Sequence, residues 1–172
     1  MATLIRHAKP AQDSWLRLEP AAEGAPPAIP ERGDLLVPLK LWQSSAGVLL
    51  GRPSGRIGVW LAPDEDPALI ADSLDALALV AVFFPQFTDG RGYSTARLLR
   101  ERYGWRGELR AIGDVQRDQL FYLSRVGFDA FELNDGIDLQ SALSAFADFS
   151  EAYQTSVERP LPLFCRRSTE AA

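Results

Sequence analysis

Length, composition and charge exclude several classes of protein. The chain has 172 residues, 47% of them hydrophobic, which is enough for one domain with a sizeable core. The net charge of −5 argues against a nucleic-acid binder, and no apolar run reaches the roughly 18–20 residues of a membrane span. The N-terminus lacks the apolar segment of a signal peptide. One Cys and one His cannot form a disulfide or a zinc or iron–sulfur site. We therefore predict a soluble, cytoplasmic protein without a bound metal or cofactor.

The N-terminal part of the chain is predicted to be irregular. It occupies residues 1–34 and precedes a single α/β domain at 35–172. Within it, residues 3–7 and 14–18 are predicted to pair as a hairpin. Residues 20–33, rich in Ala, Pro, Gly and Glu, are predicted to be a flexible linker or loop.

A short helix is predicted at the start of the domain, with Pro38 in its first turn and its end near Ala46. Leu39 and Trp42 share one face of this helix. At the other end of the domain, residues 160–164 are extended and apolar. This tail is predicted to pack back on the body of the protein or on a partner.

Four strand-then-helix units follow the first helix. The predicted strands are at 57–62, 79–85, 108–113 and 129–133, and the predicted helices are at 67–77, 94–103, 115–126 and 138–154. Asp66 and Asp138 are suitable N-caps, and Gly104 and Gly127 are suitable helix stops. Such alternation predicts a parallel sheet with right-handed crossovers. The spacing is compatible with half of a (βα)8 barrel and with an open doubly wound sheet.

The richest candidate site is the loop at residues 89–94, which follows the second strand. Parallel architectures place ligands beyond the C-terminal ends of their strands. Exposed backbone N–H groups at Gly90 and Gly92, a helix N-terminus capped by Ser94, and nearby arginines would suit an oxyanion. The predicted ligand-binding residues are Gly90, Gly92, Tyr93, Ser94, Arg97 and Asp118. An alternative is a tight turn in which Asp89 pairs internally with Arg91 or Arg117.

The third strand ends at a second polar group. Asp114 is a suitable N-cap for the next helix, with Arg117 and Asp118 in its first turns. These residues are predicted either to make a cap and surface pairs or to join Arg91 across a shared pocket. On the second interpretation, the predicted catalytic residues are Asp89, Arg91, Asp114 and Arg117. The loop is not a P-loop, because it has no Lys, and it is not a dinucleotide fingerprint, because Thr95 stands where Gly is needed.

Charge is unevenly distributed along the chain. Arginines outnumber acids over residues 90–126, whereas residues 127–158 carry acids and no base. The ordinary interpretation is solvated helix faces. The alternative is a pair of oppositely charged faces that bind a partner.

Four segments resemble a known bacterial family: GVWLAPD at 58–64, FPQFTDGRGYSTARLLRERY at 84–103, GELRAIGDVQRDQLFYL at 107–123 and GFDAFE at 127–132. The family is catalogued as domain of unknown function 934, and the resemblance covers about residues 33–155. Its members are described as oxidoreductases of sulfite reduction, because they accompany sulfite reductase and the reductase for activated sulfate. The resemblance therefore implies a role in assimilatory sulfur metabolism, with sulfite reductase as the partner. It supplies no catalytic residues.

Three functions follow as hypotheses. The first is an accessory or partner protein of sulfite reductase, which binds it or delivers an oxyanion. The second is a small enzyme acting on a sulfur- or phosphate-bearing metabolite through the residues at 89–94 and 114–118. The third is a redox protein with a flavin or a reactive Cys165. His7, the single His, is a further candidate for a catalytic role.

Overall fold

A single sheet of eight strands organises the protein. The computed structural model describes residues 3–20, 28–149 and 151–165. The strands are β1 (Thr3–Arg6), β2 (Lys9–Ala11), β3 (Trp15–Arg17), β4 (Asp34–Pro38), β5 (Ile57–Leu61), β6 (Leu79–Phe84), β7 (Glu108–Gly113) and β8 (Ala130–Leu133). Their order across the sheet is β2-β1-β8-β7-β6-β5-β4-β3.

Strands β3 to β8 are parallel, and each lies beside the next strand in the chain. Right-handed crossovers that always step in one direction place their helices on one face of the sheet. A doubly wound sheet instead reverses its order at a switch point. The strand order therefore identifies a curled, open half-barrel and excludes the doubly wound alternative.

The connection between β2 and β3 shows how strongly the sheet curls. These strands lie at opposite edges, yet only residues 12–14 join them, which limits the distance between the Cα atoms of Ala11 and Trp15 to about 14 Å. Side chains also cross the concave face. Arg17 Nη1 donates to Glu132 Oε1 at 3.1 Å and Trp60 Nε1 donates to the Leu18 carbonyl at 3.1 Å.

The predicted irregular N-terminal segment contributes three strands, so that prediction is wrong for much of it. The hairpin forms between β1 and β2 and does not involve residues 14–18, because β3 pairs in parallel with β4. Strand β1 also pairs antiparallel with β8. The turn at His7 and Ala8 has positive φ angles of 49° and 55°. Neither residue is a Gly or Asn that would signal such a turn. Much of the predicted linker, residues 21–27, lies outside the described residues.

Four α-helices and two 3₁₀ segments have defined bounds within the described residues, and all but the last along the chain lie between strands. The helices are α1 (Leu39–Leu50), α2 (Arg91–Glu101), α3 (Leu120–Arg125) and α4 (Leu139–Ala145), and the 3₁₀ segments are Pro67–Ala76 and Arg117–Gln119. The first predicted helix is confirmed with buried Leu39 and Trp42, although Pro38 ends β4 and the helix continues to Leu50.

Three of the other four helix predictions, those at 67–77, 115–126 and 138–154, need correction of type or length. The helix predicted at 67–77 is 3₁₀, although Asp66 accepts the predicted cap bond from Ala68 N at 2.8 Å. The helix predicted at 115–126 begins as the 3₁₀ segment. Asp138 caps α4 as predicted, but α4 ends at Ala145, and the supposedly inward Phe149 and Tyr153 are 64% and 72% exposed. Among the described residues, no helix is long and apolar enough to cross a membrane.

The main core lies between the sheet and the helices. Its strand residues alternate with residues on the concave face: Val80, Val82 and Phe84 of β6 face the helices, while Leu79 and Ala81 pack in a second cluster with Trp60. This alternation is the period of two expected of a strand. Because β6, β7 and β8 pair in parallel, their C-terminal ends lie at one end of the half-barrel, where the predicted site residues lie.

Candidate functional site at the strand ends

Asp114 connects three neighbouring strand ends. Its Oδ2 accepts a hydrogen bond from Phe87 N at 2.9 Å, in the loop after β6. Its Oδ1 accepts bonds from Gln116 Nε2 and from Asn134 Nδ2 after β8, both at 2.6 Å. Asp114 therefore does not act as the predicted N-cap of the following helix. It fastens the β6 loop to the ends of β7 and β8.

These hydrogen bonds lower the pKa of Asp114 below its ordinary value of 3.8, with the bond from Phe87 N as the largest cause. A carboxylate whose pKa is lowered on folding stabilises the fold above its unfolded pKa and loses this effect as the pH falls through the folded pKa. The carboxylate therefore stays ionised at neutral pH, which suits an acceptor better than a proton donor.

Replacing Asp114 with Asn should make stability less sensitive to acid. We expect the variant to be less stable than the parent at neutral pH, because an amide cannot accept all three bonds as strongly as a carboxylate. The difference should shrink as the pH falls through 3.8 and below, where the parent carboxyl becomes protonated. Urea unfolding across this pH range measures it, and a difference that grew in acid would contradict the argument.

The anionic group at the loop of residues 89–94 is the carboxylate of Asp89, which pairs with Arg91. Asp89 Oδ1 accepts from Arg91 N at 3.2 Å and from Arg91 Nε at 3.0 Å, and Asp89 Oδ2 accepts from Arg91 Nη2 at 2.6 Å. This pairing lowers the pKa of Asp89 and raises that of Arg91. The internal pairing of Asp89 with Arg91, proposed as an alternative, is confirmed. The negative charge that a helix N-terminus favours is thus supplied by the chain itself.

The start of α2 differs from the prediction. The helix begins at Arg91 with Gly90 as its N-cap, so Ser94 lies inside the first turns and does not cap the helix. Gly92 is buried. A Cβ at Gly92 would lie 2.6 Å from Phe84 Cζ and 3.0 Å from Val82 Cγ1. Gly92 therefore allows the helix to approach β6 closely.

Tyr93 and Gln119 join the loop to α3. Gln119 Nε2 donates to the Phe87 carbonyl at 2.8 Å and to Tyr93 Oη at 3.3 Å. Burial raises the pKa of Tyr93, and its ring lies 5.4 Å from the ring of Tyr122. Gln119 was not among the predicted site residues. Its sequence signal is its position three residues after Gln116, the spacing of a capping box, in which Gln119 Oε1 accepts from Gln116 N at 3.0 Å.

The remaining predicted residues lie in separate pairs. Arg117 donates from Nη1 and Nη2 to the Asp148 carboxylate at 2.8 and 2.9 Å, and so turns toward α4. Arg97 Nε donates to Glu101 at 3.0 Å on the surface of α2, and Asp118 is exposed. Among the described residues, no hydrogen bond or ion pair joins Asp114 or Arg117 to Arg91. Their roles as catalytic or ligand-binding residues stay predictions.

Two of the weaker candidates occupy peripheral positions. His7 is exposed in the turn between β1 and β2, where its backbone N donates to the Asp129 carbonyl at 2.8 Å. Cys165 is partly exposed near the end of the described chain. Within the residues that the structure describes, no group of three or more His, Cys, Asp or Glu side chains is arranged to hold a metal ion.

Comparison with known families bears on the same part of the chain. The sequence model of a family described as a bacterial protein of unknown function, DUF934, matches residues 58–164, more than half of the chain. The chain belongs to that family. The matched region begins within β5 and includes every predicted site residue, whereas β1 to β4 precede it. No curated protein matches the chain.

Proposed function

We propose that this DUF934 protein is an accessory partner in assimilatory sulfite reduction, which acts by binding another protein. The link to sulfite comes from the family resemblance, not from any residue of the site. One structural observation supports binding over catalysis. All four predicted catalytic side chains have partners within the chain. Asp89 pairs with Arg91, and Asp114 accepts hydrogen bonds from Phe87 N and from the Asn134 amide. Arg117 pairs with Asp148.

The enzyme alternative would require these groups to exchange their partners. A general base needs a pKa near the working pH, whereas hydrogen bonds lower the pKa values of both Asp89 and Asp114. A bidentate Arg–carboxylate pair is also a strong form of hydrogen bonding, so a substrate oxyanion would have to displace Asp89 from Arg91. An oxyanion-binding role for residues 89–94 therefore ranks below protein binding.

Co-purification tests the proposed partner. The tagged protein should retain the haemoprotein subunit of sulfite reductase at low and moderate salt, and a deletion strain should grow on sulfide or cysteine but poorly on sulfate or sulfite. This pattern places the defect at sulfite reduction. Normal growth on sulfite, together with no association and unchanged sulfite reductase activity in the deletion strain, would rule the proposal out.

Complementation separates binding from catalysis. Arg91→Ala and Asp114→Asn variants that remain folded should restore growth of the deletion strain on sulfate to the parental rate. The physical reason is that both side chains bind partners within the chain. Circular dichroism and a thermal melt of each variant provide the folding control. A folded variant that fails to restore growth would favour the enzyme, because loss of acid–base catalysis typically lowers a reaction rate by roughly 10²- to 10⁴-fold.

A further inference from the structure

A groove between α2, α3 and the C-terminal segment stands apart from the strand ends. It encloses about 390 Å³, a volume in the range of ligand clefts. We call it the arginine groove and define it by its lining side chains: Arg97, Tyr122, Arg125, Val126, Tyr153 and Pro162. Residues 154–157 also line it.

The charge of the arginine groove is opposite to that of the whole chain. The protein carries a net charge of −5, yet the described residues that line the groove include two arginines and no carboxylate. Arg97 Nε is held by Glu101 outside the groove. Arg125 Nη2 donates to the carbonyls of Gln154 and Thr155 at 2.8 and 3.3 Å. The terminal nitrogens of Arg97 and the Nε and Nη1 of Arg125 have no hydrogen-bond partner among the described residues, so they can receive carboxylates.

Aromatic rings give the groove an apolar surface. Tyr122 is 50% exposed and Tyr153 is 72% exposed. The guanidinium carbon of Arg125 lies 6.0 Å from the ring of Tyr122 and 5.8 Å from that of Phe121, close enough for a cation–π interaction that orients the charge. Exposed aromatics beside arginines are the composition typical of a protein-binding surface.

The groove walls are firmly connected to the fold. Val157 N donates to the Arg125 carbonyl at 3.0 Å, which joins the C-terminal segment to the end of α3. Tyr122 packs on Tyr93, and Gln119 holds Tyr93 and the Phe87 carbonyl. A binding site that is already formed loses less conformational entropy on binding than a site that becomes ordered only when its ligand binds.

We infer that the arginine groove binds an acidic segment of a partner protein, one that carries carboxylates and at least one apolar side chain. The carboxylates would pair with the guanidinium groups of Arg97 and Arg125, and the apolar side chain would pack on Tyr122 and Tyr153. This inference deepens the proposed function, on which it rests, by assigning the surface and chemistry of the contact.

A peptide assay tests the groove without sulfite reductase. The probe is a short fluorescein-labelled peptide of alternating glutamate and leucine, and its control has lysine in place of glutamate. Fluorescence anisotropy should show binding of the glutamate peptide, which weakens with added salt, and none of the lysine peptide. Equal binding of both peptides, or no binding of the glutamate peptide, would overturn the inference.

Charge variants assign the binding to the groove. Arg97→Glu should weaken binding of the glutamate peptide by about tenfold or more, and Tyr153→Ser should weaken it without a change of charge. Lys40→Glu makes the same charge change as Arg97→Glu on an exposed residue of α1 and should leave binding unchanged. Glu101→Gln releases Arg97 from its surface ion pair and should strengthen binding by about two- to threefold, the size of such a pair. A gain that is confined to the glutamate peptide cannot arise from misfolding, because apolar surface exposed by misfolding would bind the lysine peptide as well.

The same variants separate failure of the groove from failure of the proposed function. If the haemoprotein is retained equally by the parent protein and by Arg97→Glu, the partner stands and the groove is wrong. If the peptide results hold but the haemoprotein is not retained, the groove stands and the proposed partner is wrong. Sedimentation that shows a dimer of the parent protein, lost in Arg97→Glu, would instead assign the groove to a second copy and overturn the inference.

Discussion

Replacing Arg100 with Met should lower the free energy of unfolding by about 3–5 kcal/mol, the cost of leaving one member of a buried ion pair alone. The Arg100 guanidinium is buried, and it donates to Asp129 Oδ2 at 2.8 Å and to three carbonyls. These are the carbonyls of Gly127 at 2.9 Å, Trp105 at 2.8 Å and Gly107 at 2.9 Å. Methionine keeps much of the volume but leaves all these acceptors without a donor. Chemical denaturation measures the loss.

The surface arginine one turn earlier supplies the control. Arg97 makes an i, i+4 pair with Glu101 on the same helix but is exposed. Arg97→Met should therefore change the free energy of unfolding by less than about 0.5 kcal/mol. Equal losses for the two variants would show that the helix responds to any lost arginine and would contradict the role of burial.

The pH dependence of the Arg100→Met variant has a definite sign. Burial is the largest influence on both partners: it raises the pKa of Asp129 above 3.8 and lowers that of Arg100. Without Arg100, the pKa of Asp129 should rise further. Between 3.8 and this raised pKa, the folded state binds more protons than the unfolded state, so the variant becomes less stable as the pH rises. Its deficit relative to the parent should therefore be larger at neutral pH than in mild acid.

Arg100 is an exception to the sequence-based interpretation of charge. Solvated helix faces were expected for most of the charged residues over 90–126, whereas Arg100 and Arg110 are buried. Arg110 pairs with Glu108 and Asp13. Arg100 belongs to the basic segment and Asp129 to the acidic one, so their ion pair neutralises part of the charge contrast between the two segments. Arg100 continues the buried stripe of α2, at helical spacing from Ala96 and Leu99. Arg110 lies in β7 on the same face as Ile112 of the second cluster, and its pairing with Asp13 depends on the curl of the sheet.

Local patterns predicted the middle of the fold well for a physical reason. Strands β5 to β8 are short apolar runs covered by helices on one face, and such runs are distinctive in sequence. The N-terminal strands are three or four residues long, and β1 joins the sheet by pairing with β8, far along the chain. No local pattern encodes that pairing. For the same reason, the residues at the strand ends were identified while their partners Gln119 and Asp148 were not.

The two glycines of the candidate loop should respond differently to replacement by alanine. Gly92→Ala should lower the free energy of unfolding by about 1–3 kcal/mol, as overpacking of a core does. The new methyl group would meet Phe84 at 2.6 Å. The Phe84 ring is 1% exposed and lies against the rings of Tyr93 and Phe128, with centroids at 5.7 and 5.9 Å. It therefore has little room to move.

The expected loss for Gly92→Ala is opposite in sign to the usual effect, because Gly→Ala in a helix ordinarily raises the free energy of unfolding by about 0.5–1 kcal/mol. Gly90→Ala is the matched control: the nearest atom to its Cβ would be Tyr93 Cδ2 at 4.0 Å, and its φ of −81° is open to alanine. We expect that variant to be neutral or slightly stabilised. Both should bind sulfate or sulfite no differently from the parent by calorimetry, since the anion at this helix start is Asp89. A neutral Gly92→Ala would contradict the packing role of Gly92. Loss of oxyanion binding in both variants would instead mean that these glycines bind an anion.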